Sequence, residues 1–278
     1  MPNMNNIEVG RLEPLASFVE FSIITVVLND LEGFQETRRS IAALTGPSFE
    51  WIVVDGRSKD GLVEYLKNGD PLVSNWVSEQ DSGIYDAMNR GVELARGEYV
   101  VFMNAGDCFS DAGSLNYVRN AIESSESRPD VIFGGAKVSF ENGVGFYRGP
   151  RHAKRTLWHG LPANHQATYY RRERLLSVPY DLSFRICGDY YLTASLVRNG
   201  ASAQYVDQAL VVFRAGDTSH QNKKLLLTEP YRIQRDILKL PAWLRAVSFM
   251  RRLLALSAMV VLNSLPPMRG RHENQATN

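Results

Sequence analysis

The stretch FSIITVVLNDLEGFQETRRSIAALTGPSFEWIVVD, residues 21–55, decides the fold. Its opening, FSIITVVL at Phe21 to Leu28, is β-branched and almost unbroken in hydrophobicity, as expected of a strand covered on both faces. LEGFQETRRSIAAL then carries apolar residues at helical spacing until Gly46 and Pro47 stop it, and FEWIVVD at Phe49 to Asp55 is a second buried strand. Working outward, helix-like GLVEYLK, the short strand NWVSE, helical IYDAMNRGVELA and the strand YVVFMN follow in turn. This alternation predicts an α/β fold with a mostly parallel, Rossmann-like sheet, right-handed crossovers and flanking helices.

In such sheets ligands sit beyond the carboxyl ends of the strands. Those ends read Asn29 and Asp30, then Asp55, then Glu79 with Asp81, then Asn104 and Asp107. An acidic residue stands at every exit, where turn chemistry alone would accept Gly, Ser or Asn. Past about Pro129 the alternation breaks. VIFGGAKVSF and VGFYRG read as strands paired across an Asn-Gly turn, HQATYYRRERLL as a strand entering a basic segment, GDYYLTASLVRNG as a helix and AQYVDQALVVFR as late strands.

Composition narrows the function. The 278 residues carry 31 Lys and Arg against 30 Asp and Glu, so no global field draws nucleic acid, and a hydrophobic share of 44% argues against disorder. Two cysteines, Cys108 and Cys187, suit a reducing cytosol. The first twenty residues lack the basic start and apolar run of a signal peptide, so a cytoplasmic location is expected. The five histidines have no zinc spacing, and no Gly-rich phosphate loop occurs. A metal-bridged phosphate is the expectation that remains.

Each candidate has a bland reading beside the functional one. Asp55 closes its strand, where a carboxylate can accept from a ribose hydroxyl or a base N–H, while the neighbouring Ser58 and Asp60 read as turn and cap residues. Asp107 is a loop residue or cap, or else an oxygen ligand for Mg²⁺ or Mn²⁺, which commonly need one or two carboxylates plus substrate phosphates. Asp189 is a helix cap, or a base suited to take a proton from an attacking hydroxyl. His165 and Gln166 stand where a strand begins, and a structural histidine is the commoner kind.

Taken together, FSIITVVLND, FEWIVVDGRSKDG, SEQDSGIYDAMNRGVELARGEYVVFMNAGD, HQATYYRR and GDYYL resemble a family-2 glycosyltransferase of GT-A fold, akin to bacterial colanic-acid and other exopolysaccharide enzymes. The resemblance covers about Phe21 to Ser219 and is tighter in the N-terminal half. It implies inverting transfer from a nucleotide-diphosphate sugar donor to a saccharide or polyprenyl-diphosphate-linked acceptor, with a divalent cation, Mn²⁺ or Mg²⁺. Asp55 would contact base or ribose, with Val26 and Leu28 beside the base. Leu28 replaces the aromatic residue common there. Asn104-Ala105-Gly106-Asp107 occupies the metal-binding acidic motif and keeps only its last carboxylate, Asp107. Asp189 would be the catalytic base, and Asp81 and Asn89 donor-side residues. His165 and Gln166 would stand on the acceptor or diphosphate side. Arg214, with Asp217, Thr218 and Ser219, resembles a loop closing over the donor. The thinned acidic motif also supports a second class, a non-catalytic sugar-nucleotide-binding or scaffold protein. A nucleotidyltransferase is disfavoured because no Lys-bearing phosphate loop opens the sheet.

The organisation expected is an N-terminal extension over 1–20, a GT-A domain over 21–220 and a C-terminal helical extension over 221–278. Within the last, the apolar portion from Leu253 to Leu265 is shorter than the ~20 residues that span a bilayer. A helical wheel gathers Arg245, Ser248, Arg252 and Asn263 on one side, with Trp243, Phe249, Leu253 and Leu254 mostly elsewhere. Two readings follow: a helix lying peripherally on the inner face of the cell membrane, or one packed against protein.

Overall fold

The computed structural model describes residues 8–11, 18–139, 145–214 and 222–264, and for 11, 139, 214 and 258–264 the backbone alone. One sheet organises the chain. Its strands are β1 (Glu8–Arg11), β2 (Phe21–Val27), β3 (Phe49–Asp55), β4 (Val73–Ser78), β5 (Tyr99–Phe102), β6 (Cys108–Phe109), β7 (Val131–Ser139), β8 (Gly145–Arg148), β9 (Thr168–Arg171) and β10 (Ala203–Arg214). They run in the spatial order β1-β4-β3-β2-β5-β9-β7-β10-β6, with β8 paired to β7. The pairs β3–β4, β2–β3, β2–β5 and β7–β10 are parallel, and β9 runs antiparallel between β5 and β7.

Side-chain alternation along the strands builds two cores, one on each face. Ile24, Val26, Ile52 and Val54 point to one face and Phe21, Ile23, Val27, Trp51 and Val53 to the other. The second face is covered by α1 (Leu31–Ala42), α2 (Leu62–Lys67) and α4 (Ser114–Glu123), through Phe34, Ile41, Leu66, Leu115 and Val118 among others. The first face is covered by α3 (Ile84–Leu94), α6 (Arg172–Ser177), α7 (Gly188–Arg198) and α8 (Lys223–Asp236), with α5 (Ala153–Thr156) alongside. Burial on both faces is why the strands read as continuous hydrophobic runs. Where polar groups enter these cores they are paired: the Trp51 indole N–H donates to Thr25 Oγ1 at 2.9 Å, with both residues fully buried.

Several local expectations are refined. β1 lies inside the segment expected to be an extension and pairs antiparallel with β4, covering the sheet edge. The basic segment after β9 is helix α6, and residues 165–167 form a 3₁₀ turn ahead of the strand. The late strands are one long strand, β10, with register shifts between Val206 and Val211. The turn between β7 and β8 lies outside the described residues, but the strands pair as the Asn-Gly signal predicts.

The last helix is α9 (Ala242–Ser264). Its polar side faces protein. Ser248 is fully buried between His159 Nδ1, at 2.8 Å, and Gln234 Nε2, at 2.7 Å, while Arg252 donates to the His159 carbonyl and Arg245 to the Tyr231 hydroxyl. Its apolar residues Trp243, Val247, Met250 and Leu254 are 68, 45, 51 and 65% exposed and form a single stripe at spacings of four, three and four. No helix among the described residues is long and apolar enough to cross a membrane.

The Thr25–Trp51 pair supplies a stability test. Thr25→Val keeps the shape but leaves the buried indole N–H without an acceptor, so unfolding in urea should show a loss of about 1–3 kcal/mol. In a Trp51→Phe background the same substitution should cost much less.

Candidate active site

The central strand stitches two neighbouring exits to itself. Beyond β2, the Val27 carbonyl accepts from Gly56 N at 2.9 Å and the Val26 carbonyl from Ala105 N at 3.4 Å. Asp55 and the Asn104–Asp107 turn therefore flank one strand end. The turn is held by α1: Thr37 Oγ1 donates to the carbonyls of Asn104 and Asp107, at 3.1 and 2.8 Å, and accepts from Gly106 N at 3.0 Å. Gly106 has φ +88°, a left-handed conformation that side chains disfavour.

Asp55 is fully buried, and its carboxylate accepts from Ser58 N at 3.1 Å and Ser78 Oγ at 2.6 Å. Internal partners thus hold the side chain at the strand end. Asp81 accepts from Gly83 N at 2.9 Å, and a Cβ added to Gly56 would lie 2.8 Å from Asp81 Oδ2 and 3.3 Å from Leu28 Cδ1. Leu28, 59% exposed, and Asp81 thus stand on either side of the Asp55-Gly56 turn, with Val26 buried beneath. Asp60 behaves as the bland reading expects, accepting from Leu62 N at the start of α2 and from Leu31 N at the start of α1.

Asp107 is buried, with Oδ2 accepting from Gln166 Nε2 at 3.0 Å. In the same turn Asn104 Oδ1 is buried with no hydrogen-bond partner. A carboxylate and an orphaned amide oxygen are hard donors, and completed by phosphate oxygens they fit Mg²⁺ or Mn²⁺. No cluster of three or more His, Cys, Asp or Glu suited to a metal occurs among the described residues.

Beside Gln166, His165 stacks on Phe102 with ring centroids 5.3 Å apart and meets Tyr180 edge-on at 6.5 Å. Both of its ring nitrogens are buried without a partner, and burial pushes its pKa down to about 4, so the imidazole is neutral at physiological pH. Tyr180 stacks on Tyr85 at 5.1 Å, and the Tyr85 ring lies flat against Gly188, where a Cβ would meet it at 2.6 Å. A continuous chain of contacts thus runs from Asp107 through Gln166, His165, Tyr180 and Tyr85 to Gly188 and Asp189. Asn89, expected on the donor side, instead spends its amide on the Tyr180 backbone, donating to the carbonyl at 3.0 Å and accepting from the amide at 2.9 Å.

Asp189 is in the first turn of α7 and is not its cap. Its Oδ1 accepts from Tyr190 N at 2.8 Å, and burial pushes its pKa up to about 6, with the Glu229 charge adding to the rise. Glu229 of α8 caps the loop that leads into α7 rather than the helix itself. Its buried carboxylate accepts from the amides of Arg185, Ile186 and Cys187 at 2.8, 3.0 and 2.8 Å. Sequence reading misses Glu229 because nothing near residue 188 points to a partner about forty positions on. Of Arg214 only the backbone, at the end of β10, is described, and Asp217, Thr218 and Ser219 lie outside the described residues.

A largely parallel sheet flanked by helices, with Asp55, Asp81 and Asp107 at its strand exits, is the architecture of the GT-A fold. The fold is shared with Staphylococcus aureus TarS in complex with UDP-GlcNAc (TM-score 0.65, 18% identity, covering 87% of this chain and 74% of that one). It is shared also with a mannosyltransferase from Pyrobaculum calidifontis in complex with GDP-Man and Mn²⁺ (TM-score 0.61, 18% identity, 90% and 78% covered). The family model for glycosyl transferase family 2 matches residues 22–197, more than half of the 278, and the chain belongs to that family. Curated relatives include an uncharacterized glycosyltransferase of Mycobacterium tuberculosis, 34% identical over 183 residues (63% of this chain, 69% of that protein). A PGL/p-HBAD biosynthesis glycosyltransferase of Mycobacterium bovis is 33% identical over 177 residues (61% and 66%). The match to colanic-acid enzymes in particular is not among these findings.

The raised Asp189 pKa has a stability consequence with a definite sign. A carboxyl raised from 3.8 to about 6 on folding contributes stability that is complete below about 3.8 and lost as pH rises through about 6. Asp189→Asn removes the ionised group and keeps the acceptor for Tyr190 N. It should therefore raise Tm at pH 8 by roughly 6–12 °C, from about 3 kcal/mol at about 2–4 °C per kcal/mol, and change it little at pH 4. Calorimetry at the two pH values measures this.

Proposed function

We propose that the protein is an inverting, metal-dependent glycosyltransferase that moves a sugar from a nucleotide-diphosphate donor to a lipid-linked saccharide during surface polysaccharide or glycolipid assembly. The observation that carries this reading is the contact chain joining the Asn104–Asp107 turn to Asp189, which lets one ligand meet an oxygen-rich anion-bridging turn and a carboxylate with raised proton affinity. The names of the mycobacterial relatives and the donors in the two structural neighbours support the substrate classes.

In this mechanism the nucleotide lies across Val26, Leu28, Asp55 and Asp81. Asp107 and Asn104 would hold a divalent cation, which when bound would offset negative charge on the departing diphosphate. Asp189 accepts the proton of the acceptor hydroxyl as that oxygen attacks the anomeric carbon. A carbon–oxygen bond forms on one face of the sugar as the bond to the diphosphate breaks on the other, and the nucleoside diphosphate leaves. A pKa near 6 keeps Asp189 ionised at neutral pH with more proton affinity than an exposed Asp. His165, neutral and stacked on Phe102, and Gln166, bound to Asp107, would line the diphosphate side, and Arg214 would belong to the loop over the donor. The 21–220 domain would carry donor and base and the 221–278 extension would set their surroundings, with the protein cytoplasmic and peripheral on the inner face of the membrane through α9.

The assay is release of nucleoside diphosphate from a panel of nucleotide sugars with and without Mn²⁺. No release from any of them would leave the non-catalytic binder of the same fold. Asp189→Asn should keep donor affinity and lose about 10²–10⁴ in kcat. Activity should fall as pH drops through about 6, and Glu229→Gln should move that limb to lower pH because the Glu229 charge raises the Asp189 pKa. Asp107→Ala should abolish the Mn²⁺ dependence of donor binding, and undiminished metal-dependent binding would remove Asp107 from the site.

A further inference from the structure

Away from the acidic exits the chain carries a cavity of opposite character. About 330 Å³ in volume, it is lined by Arg148, Arg151, Arg155, Trp158, His159 and Arg251 among others. The volume is within the ~300–1,000 Å³ of small-ligand sites. A second cavity of about 490 Å³ shares Arg148 and Arg151 with it. None of the four arginines has an ion-pair partner among the described residues, although other arginines of the chain pair repeatedly with carboxylates. The carboxylate of Asp207, beside Gly149, takes the Tyr147 hydroxyl at 2.6 Å.

The four arginines are solvent-exposed around one open depression, so their mutual repulsion is partly screened, and an anion seated among them would relieve what remains. The Arg148 guanidinium is held below its ordinary value by desolvation and by the Arg151 charge. His159 is pushed down to about 4 by burial and by Arg252 and Arg251, so it adds no charge. Arg251 stands over the Trp158 ring, 5.5 Å from its centroid. Two features place the cavity relative to the rest of the molecule. The segment that lines it is tied to α7, since the hydroxyl of Tyr190, the neighbour of Asp189, donates to the carbonyl of Leu157, between the lining residues Thr156 and Trp158. Arg251 also belongs to α9, whose outward stripe of Trp243, Val247, Met250 and Leu254 offers apolar surface on the same helix.

We propose that the arginine-lined cavity binds the diphosphate of the lipid-linked acceptor, with the apolar stripe of α9 alongside to receive the start of its hydrocarbon chain. This rests on the transferase reading and extends it to the acceptor. Guanidinium groups suit the task because they stay charged and grip phosphate oxygens in pairs. The site is tied to the neighbour of Asp189 through the Tyr190–Leu157 bond and uses none of the groups assigned to the donor.

The test is calorimetric binding of geranyl diphosphate and of inorganic pyrophosphate to the full chain in EDTA, which silences metal-bridged binding at Asp107. Wild type should bind geranyl diphosphate saturably and more tightly than pyrophosphate, and Arg151→Ala/Arg155→Ala, with unchanged Tm, should bind it at least about tenfold more weakly. Equal binding by the two proteins, or none by wild type, overturns the proposal. Vesicles of phosphatidylcholine, with and without phosphatidylglycerol, separate the other source of phosphate. If the double variant loses binding to anionic vesicles yet binds geranyl diphosphate as wild type does, the cluster reads a bilayer surface and the acceptor proposal falls. Nucleoside diphosphate release in the same preparations keeps the two readings apart: release without geranyl diphosphate binding leaves the transferase standing and removes this site.

Discussion

A carboxylate withdrawn from water must be compensated, and this chain meets that demand unevenly. Glu229 receives three backbone amides, Asp55 an amide and a serine hydroxyl, and Asp107 the amide of Gln166. Asp189 receives one amide and has Glu229 for a neighbour, so its proton affinity rises. The first three are fixed in place by their bonds. The fourth is left undercompensated. Environment rather than residue type thus separates the roles of four acidic side chains.

Much of this was legible in the sequence because parallel strands buried on both faces leave unbroken apolar runs, and because turns after such strands have little reason to be acidic. Phe21–Val27, Phe49–Asp55 and Tyr99–Phe102 could be placed from composition alone, and with them Asp55 and Asp107. The links between exits could not. Gln166 reaching Asp107, and Tyr85 lying under Gly188, depend on β9 inserting antiparallel between β5 and β7, a pairing with no local signature. Glu229 was hidden for a similar reason, since its partners are backbone amides of a distant loop.

Helix α9 shows a different limit of the sequence. Periodicity gives the two faces of a helix but not which of them meets protein. Ser248 and Arg252 turn inward because the 153–161 segment offers buried acceptors and an imidazole that only polar groups can satisfy. The apolar side is then left outward by default. Packing on protein and presenting an apolar face are therefore the same arrangement seen from two sides.

The Glu229 cap also bears on how such proteins can be recombined. The segment matched by the family model ends at residue 197, yet the group that steadies the loop before Asp189 enters from beyond it. A chimera cut at the edge of the matched segment would inherit the acidic residue of one parent and the counter-group of another, with orphaned amides between them. The heritable unit of this chemistry is longer than the stretch by which its kinship is detected, and exchanges that respect it must carry the tail along.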